Sequence, residues 1–132
     1  LGDVYKRQVQ LGDVDAMVNL GKLYETGSGV KLDKKKAERL YRMAADRGDA
    51  HAQGYLGLLL DSEQKHEEAF RYYALAANQG ETFSETDLGG YYIDGKGTEV
   101  DLGKARYWFE RAAAKGNENA TRNLAGLDAR VS

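Results

Sequence analysis

His51 and His66 are the two imidazoles of this 132-residue chain, and no cysteine accompanies them. A zinc site needs His, Cys or carboxylate ligands at set spacings, and neither a thiolate nor an H-E-x-x-H pair is present to complete one. Both histidines therefore read as solvent-facing helix positions. Asp61, Glu63, Glu67 and Glu68 gather enough carboxylate for acid–base work only if a cleft holds two of them at a fixed separation. No such cleft is implied, and the cluster reads as a solvated face. Gly27-Ser28-Gly29 could cradle a phosphate, but it lacks the third glycine of G-x-G-x-x-G and follows a helical pattern instead of a strand. It reads as a helix-ending loop. Gly21-Lys22 and Gly103-Lys104 complete no G-x-x-x-x-G-K-[ST]. The run Lys34-Lys35-Lys36 is either the exposed start of a helix, set against its dipole, or the seat of a local acidic partner such as phosphate. Tyr72-Tyr73 and Tyr107-Trp108-Phe109 have rings that could stack a ligand; their spacing assigns them to inter-helix packing, with one ring of each run at the rim. No catalytic set, metal site or small-molecule cofactor is expected.

Composition narrows what could position any site. Apolar residues at 42% and charged residues at 30% describe a folded domain and not a disordered segment. A net charge of -2 and an isoelectric point near 5.7 supply no basic field for nucleic acid or an anionic membrane. The longest strongly apolar stretch, Tyr55 to Leu60, is far short of the ~20 residues that cross a bilayer, so no membrane insertion is expected. Without cysteine there is neither disulfide nor thiolate chemistry. Zero proline beside sixteen glycines is the mark of helices punctuated by glycine. The chain opens on Leu1 with no secretion-signal pattern, so a start has been removed or the chain is a piece of a longer one.

The sequence repeats itself. Gly12, Gly48, Gly80 and Gly116 each precede a small residue by four: Ala16, Ala52, Ser84 and Ala120. Four further on stand Leu20, Leu56, Leu88 and Leu124, followed by Gly21, Gly57, Gly89 and Ala125. The pattern resumes at Ala37, Ala69 and Ala105, with an aromatic four later (Tyr41, Tyr73, Phe109) and then the pairs Ala44-Ala45, Ala76-Ala77 and Ala112-Ala113. Ala16 to Ala52 is a step of 36 residues and Ala52 to Ser84 one of 32; the missing four fall between Gly57 and Ala69, in a loop. Each unit thus reads as two amphipathic helices with a single apolar stripe. A glycine inside a helix costs ~1 kcal/mol relative to alanine, and close approach of a neighbouring helix is the expected compensation. Gly27 and Gly95 are expected to end first helices in the left-handed conformation, and Asp33 and Asp101 to cap second ones. Gly27→Val should then be more damaging than Gly29→Val. Six helices in three antiparallel pairs are expected, then a seventh, lone helix near Ala120 to Leu127, with no strands.

The string Ala16-x-x-x-Leu20-Gly21-x-x-Tyr24-x-x-Gly27-x-Gly29-Val30-x-x-Asp33-x-x-Lys36-Ala37-x-x-x-Tyr41-x-x-Ala44-Ala45-x-x-Gly48 resembles the Sel-one-like repeat, a relative of the tetratricopeptide repeat. Residues 82–116 carry the pattern again with Gly95, Gly97, Asp101 and Lys104-Ala105, and residues 51–80 resemble its short-loop variant. The resemblance implies an all-α, right-handed α-α superhelix, a solenoid of about three helix-pair repeats plus a C-terminal lone helix. The units fall at 12–50, 51–81 with the short loop, and 82–117. Residues 1–11, with Tyr5 at the place of Tyr41 but Gln8-Val9 for the alanine pair, are a partial preceding repeat or a non-native leader. Residues 118–132 are a partial repeat or a capping helix.

Function follows from the same resemblance. Members of the family are chiefly adaptors, which implies a scaffold for a protein or extended peptide; a structural segment of a larger protein is the alternative. A cysteine-rich branch linked to β-lactam binding or hydrolysis is disfavoured by the absence of cysteine. In stacked helix pairs the first helices line the inner wall. By likeness to tetratricopeptide repeats, the groove positions lie three and two before the mid-helix glycine, then one, four and five after it. They are Val18, Asn19, Lys22 and Glu25; Tyr55, Leu58 and Asp61; Thr86, Asp87 and Ile93; and Arg122 and Asn123. Amides, both charge signs, an exposed tyrosine and aliphatics suit an extended peptide better than a small metabolite.

Overall fold

Each glycine that closes a second helix is followed at once by a side chain that opens the next first helix. Gly12, Gly48, Gly80 and Gly116 turn the chain at φ of +83°, +88°, +86° and +90°, a region costly for any residue with a Cβ. Asp13, Asp49, Glu81 and Asn117 come next, and each accepts the backbone N–H three residues on at 2.9–3.2 Å. A left-handed stop and an N-cap are thereby joined in two residues.

In the computed structural model, which describes residues 1–131, these turns link α1 (Gly2–Gln10), α2 (Val14–Thr26), α3 (Lys34–Asp46) and α4 (Ala50–Ser62) to α5 (His66–Asn78), α6 (Thr82–Asp94), α7 (Leu102–Ala114) and α8 (Glu118–Val131). No strand occurs among the described residues. The extensive contacts all join consecutive helices, most fully within the pairs α2–α3, α4–α5 and α6–α7. This is the all-α superhelical repeat that the pattern implies. It has one helix more than the seven expected. The extra helix is α1, whose Tyr5 and Val9, four residues apart on one face, pack against the central core.

The stripes bury as the period requires. Ala37, Tyr41, Ala44, Ala52, Leu56, Ala69, Ala76 and Phe109 are all fully buried. The mid-helix glycines have a specific neighbour, the aromatic ring of the second helix in the same unit. A Cβ at Gly21, Gly57 or Gly89 would stand 2.6, 2.7 or 2.5 Å from a ring carbon of Tyr41, Tyr73 or Phe109. One position after the small residue, polarity changes from unit to unit. Met17 is buried as an apolar side chain, Gln53 accepts from Gln79 Nε2 at 2.8 Å, and Glu85, fully buried, accepts from Lys115 Nζ at 2.8 Å and Arg111 Nε at 3.2 Å.

The long loops behave as their sequences predict, with one addition. Gly27 and Gly95 are left-handed at φ +71° and +70°, and Asp33 and Asp101 cap the next helices through Lys36 N and Lys104 N at 3.0 Å. Gly29 and Gly97 are left-handed too, at +75° and +66°, so the contrast drawn between Gly27 and Gly29 cannot rest on conformation. It rests on space. A Cβ at Gly27 meets Leu32 Cβ at 3.2 Å, whereas one at Gly29 meets nothing within 4 Å. Gly97 is tighter than either, with a Cβ 2.5 Å from His66 O and 2.8 Å from Phe70 Cβ. The loop of the third unit therefore lies directly on the start of α5. Gly97→Ala is expected to cost about 1–3 kcal/mol more than Gly29→Ala, the difference being overpacking against backbone on top of a conformational strain common to both. Urea unfolding of the two variants measures it, and equal midpoints would mean the loop is not seated on α5.

Candidate partner-binding groove

Helices α2, α4, α6 and α8, the first helices of the units, share one face. Three linked depressions run across it. One of about 340 Å³ between α2 and α4 is lined by Asp15, Val18, Asn19, Lys22, His51 and Tyr55. A second, about 440 Å³, lies between α4 and α6 and includes Tyr55, Leu58, Phe83 and Asp87. The third, about 520 Å³, brings Leu58, Asp61, Thr86, Asp87, Arg122 and Asn123 together. Tyr55 and the Leu58–Asp87 pair belong to two depressions each, so the three form one trough.

Ten of the twelve expected groove residues line this trough. Val18 is among them but is itself buried, forming floor instead of a free side chain. Tyr55 is half-buried and not free, stacked on Tyr41 at 5.6 Å with Lys22 Nζ 4.5 Å above its ring. The two that stand apart have other duties. Glu25 accepts the Tyr41 hydroxyl at 2.7 Å, and Ile93 packs on the Ala105–Phe109 cluster. Sequence reasoning missed Asp15, His51, Phe83 and Asn119, which line the trough one residue before each small stripe residue. Extending the groove stripe one turn toward the helix start, at the 3.6-residue period, reaches all four.

The middle of the trough is acidic and strained electrostatically. Tyr91 donates its hydroxyl to Asp61. Asp87, a turn away, has its carboxyl pushed up to about 7 from the ordinary 3.8, first by burial and then by Glu81 and Asp61. Burial likewise raises the Tyr73 and Tyr91 phenols, the latter also through its bond to Asp61. Because the folded state holds the Asp87 proton more tightly than the unfolded chain, this contribution to stability is full below pH ~4 and is lost as pH rises through 7. Asp87→Asn should therefore stabilise the protein by about 1–3 kcal/mol at pH 8 and by little at pH 4. Thermal melts across that range test it, and a pH-independent difference would contradict the desolvation of Asp87.

The other residues with apparent chemistry find structural uses. Lys34, Lys35 and Lys36 are exposed, with Lys36 Nζ 5.3 Å from the Tyr24 ring. Glu68 is ion-paired to Arg42 at 2.9 Å, which holds its carboxyl below the usual range. Tyr73 and Phe109 are buried while Tyr107 is 53% exposed, the division expected of those aromatic runs. His51 is exposed as anticipated, but His66 is not free. It lies partly under the third unit's loop, 5.9 Å from the Tyr91 ring, with Nε2 buried and without a hydrogen-bond partner among the described residues. No metal-holding group of His and carboxylates occurs among the described residues, and none of their helices is long and apolar enough to cross a membrane.

The same fold occurs among known proteins. The chain is 37% identical over 103 residues to the DAP3-binding cell death enhancer 1 of Rattus norvegicus, a match covering 76% of this chain and 20% of that protein. It is 33% identical over 135 residues to the chitin synthase regulator SKT5 of Saccharomyces cerevisiae, covering 96% and 19%. The chain thus spans about a fifth of the length of these relatives. Among solved structures, a protective antigen of uropathogenic Escherichia coli displaying an SLR fold superposes with a TM-score of 0.94 at 30% identity, covering 97% of this chain and 28% of the antigen. A Sel1 repeat protein from Oxalobacter formigenes gives 0.84 at 34%, covering 96% and 99%. The Sel1 repeat model matches residues 14–49, 50–81 and 83–117, and the chain belongs to the Sel1 repeat family.

Proposed function

We propose that the chain is an interaction scaffold that holds a peptide or protein segment in the trough of its first helices, without catalysis. Sel1 repeat proteins generally act as interaction scaffolds, and two relatives carry names that describe a binding protein and a regulator. The observation that carries the reading is local. Folding leaves Leu58 at 47% and Phe83 at 70% exposed, side by side in the trough between α4 and α6. Exposed apolar side chains in a concave site rimmed by polar groups are what a partner covers.

The test compares the two faces of the solenoid. Changing Asn19, Tyr55 and Asn123 together to Ala should leave helicity unchanged and abolish retention of a partner captured by the parent chain. Retention that survives this change but is lost on altering Lys35 or Arg71, on the second helices, would put the binding face outside. A chain that retains nothing from its own cell extract in either form would favour a purely structural segment.

A further inference from the structure

The cations of the trough are already engaged, although Lys96 and Arg122 line the same depression as Asp61 and Asp87. Lys22 covers the Tyr55 ring at 4.5 Å, Lys96 sits 5.9 Å from the Tyr91 ring, and Arg122 is hydrogen-bonded to Asn119. Between α4 and α6 stand His51 and the acids Asp61, Glu81 and Asp87. Asp61 is occupied by the Tyr91 hydroxyl, and Glu81 by the N–H groups of Phe83 and Ser84. Asp87 makes no hydrogen bond or ion pair among the described residues, although it borders two depressions.

Beside this unanswered carboxylate stand the two most exposed apolar side chains of the trough, Leu58 and Phe83. Phe83 and Asp87 are four residues apart on α6, about 6 Å of helical rise. Same-side residues of an extended chain are separated by about 6.6 Å. Resting on the scaffold reading above, we propose that the trough takes an extended segment of a partner protein with the pattern apolar–x–Lys/Arg, its cationic head at Asp87 and its apolar side chain over Leu58 and Phe83. A cation there supplies the charge partner that Asp87 lacks, where burial and then the nearby Glu81 and Asp61 now make its proton costly to lose. A segment bearing an acid at that position would instead place like charges in a desolvated site.

A phage-displayed library of random dodecapeptides, panned on the intact chain, tests the pattern, and anisotropy titration of the selected peptide tests the residues. Lys or Arg two positions from Leu, Ile or an aromatic should be enriched. Asp87→Asn should weaken the peptide at least ten-fold, changing the peptide's cation to norleucine should do the same, and the two losses should not add. Circular dichroism of each variant guards against unfolding. Enrichment of acidic or uncharged peptides, or a less than two-fold effect of Asp87→Asn, overturns the inference; so does failure to enrich any peptide over bare support. If Asp87→Asn is silent but Leu58→Ser abolishes binding, the trough is still the site and only the cationic pattern falls. If neither matters, both readings fall. Self-association of the chain that Leu58→Ser removes would name a second copy as the occupant, and also overturns the proposal.

Discussion

Leu56→Ala is expected to lower the free energy of unfolding by about 2–5 kcal/mol, whereas Leu58→Ala, two residues away on the same helix, should change it by about 0.5 kcal/mol or less. The chemical change is the same, and only burial differs. Leu56 is fully buried in the middle unit, where α4 meets both α3 and α5, while Leu58 is 47% exposed in the trough. Stability in such an array is a sum of unit and nearest-neighbour terms. A cavity in the central unit therefore weakens two interfaces at once, and about three units is the minimum for a stable array. Urea denaturation compares the two variants, and hydrogen exchange should show α3 to α6 opening together in the first. Midpoints within a degree or two of each other in thermal melts would refute the packing assigned to Leu56.

The second large effect concerns a buried charge. Glu85 is fully buried on α6 and, among the described residues, answered only by Arg111 of α7 and Lys115 at its C-cap, both of which remain partly exposed. Replacing both cations with Met leaves a carboxylate in the core with nothing opposite, and the melting temperature should fall by about 10 °C or more. Adding Glu85→Met to that variant should restore most of the loss, since an apolar trio of similar volume needs no partners. The rescue is the informative arm. A purely steric role for the two long side chains predicts that Glu85→Met adds nothing.

Much of this fold is legible because a repeat states its own alignment. The small–Leu–Gly stripe and the Ala–aromatic–Ala-Ala stripe fix two faces per unit, and Asp33, Asp101, Gly27 and Gly95 mark the ends they cap. What escaped depends on neighbours in space. Helix α1 is obscured because Gln8 and Val9 stand where alanines allow the closest approach, yet Tyr5 and Val9 dock it on the core. Val18 is buried in the central core as the floor of the α2–α4 depression, a fact its own helix does not encode. The same holds for His66, covered by a loop some thirty residues further along the chain, which a four-residue shorter connection in the second unit leaves room to receive. Phe83, by contrast, is within reach of the period, one turn before Thr86 and Asp87 on the same face of α6.

That every extensive contact joins consecutive helices has a mechanical consequence. A tension applied to the two ends is carried chiefly in series, through one interface after another, with the Arg42–Glu68 ion pair between α3 and α5 as a side-chain clasp alongside. Such a molecule yields by peeling from its termini one pair at a time, and before yielding it lengthens by opening the angle between units. The trough crosses those same interfaces. Stretch therefore changes the spacing of α2, α4, α6 and α8, and a segment lying across them acts as a splint that stiffens the spring it occupies.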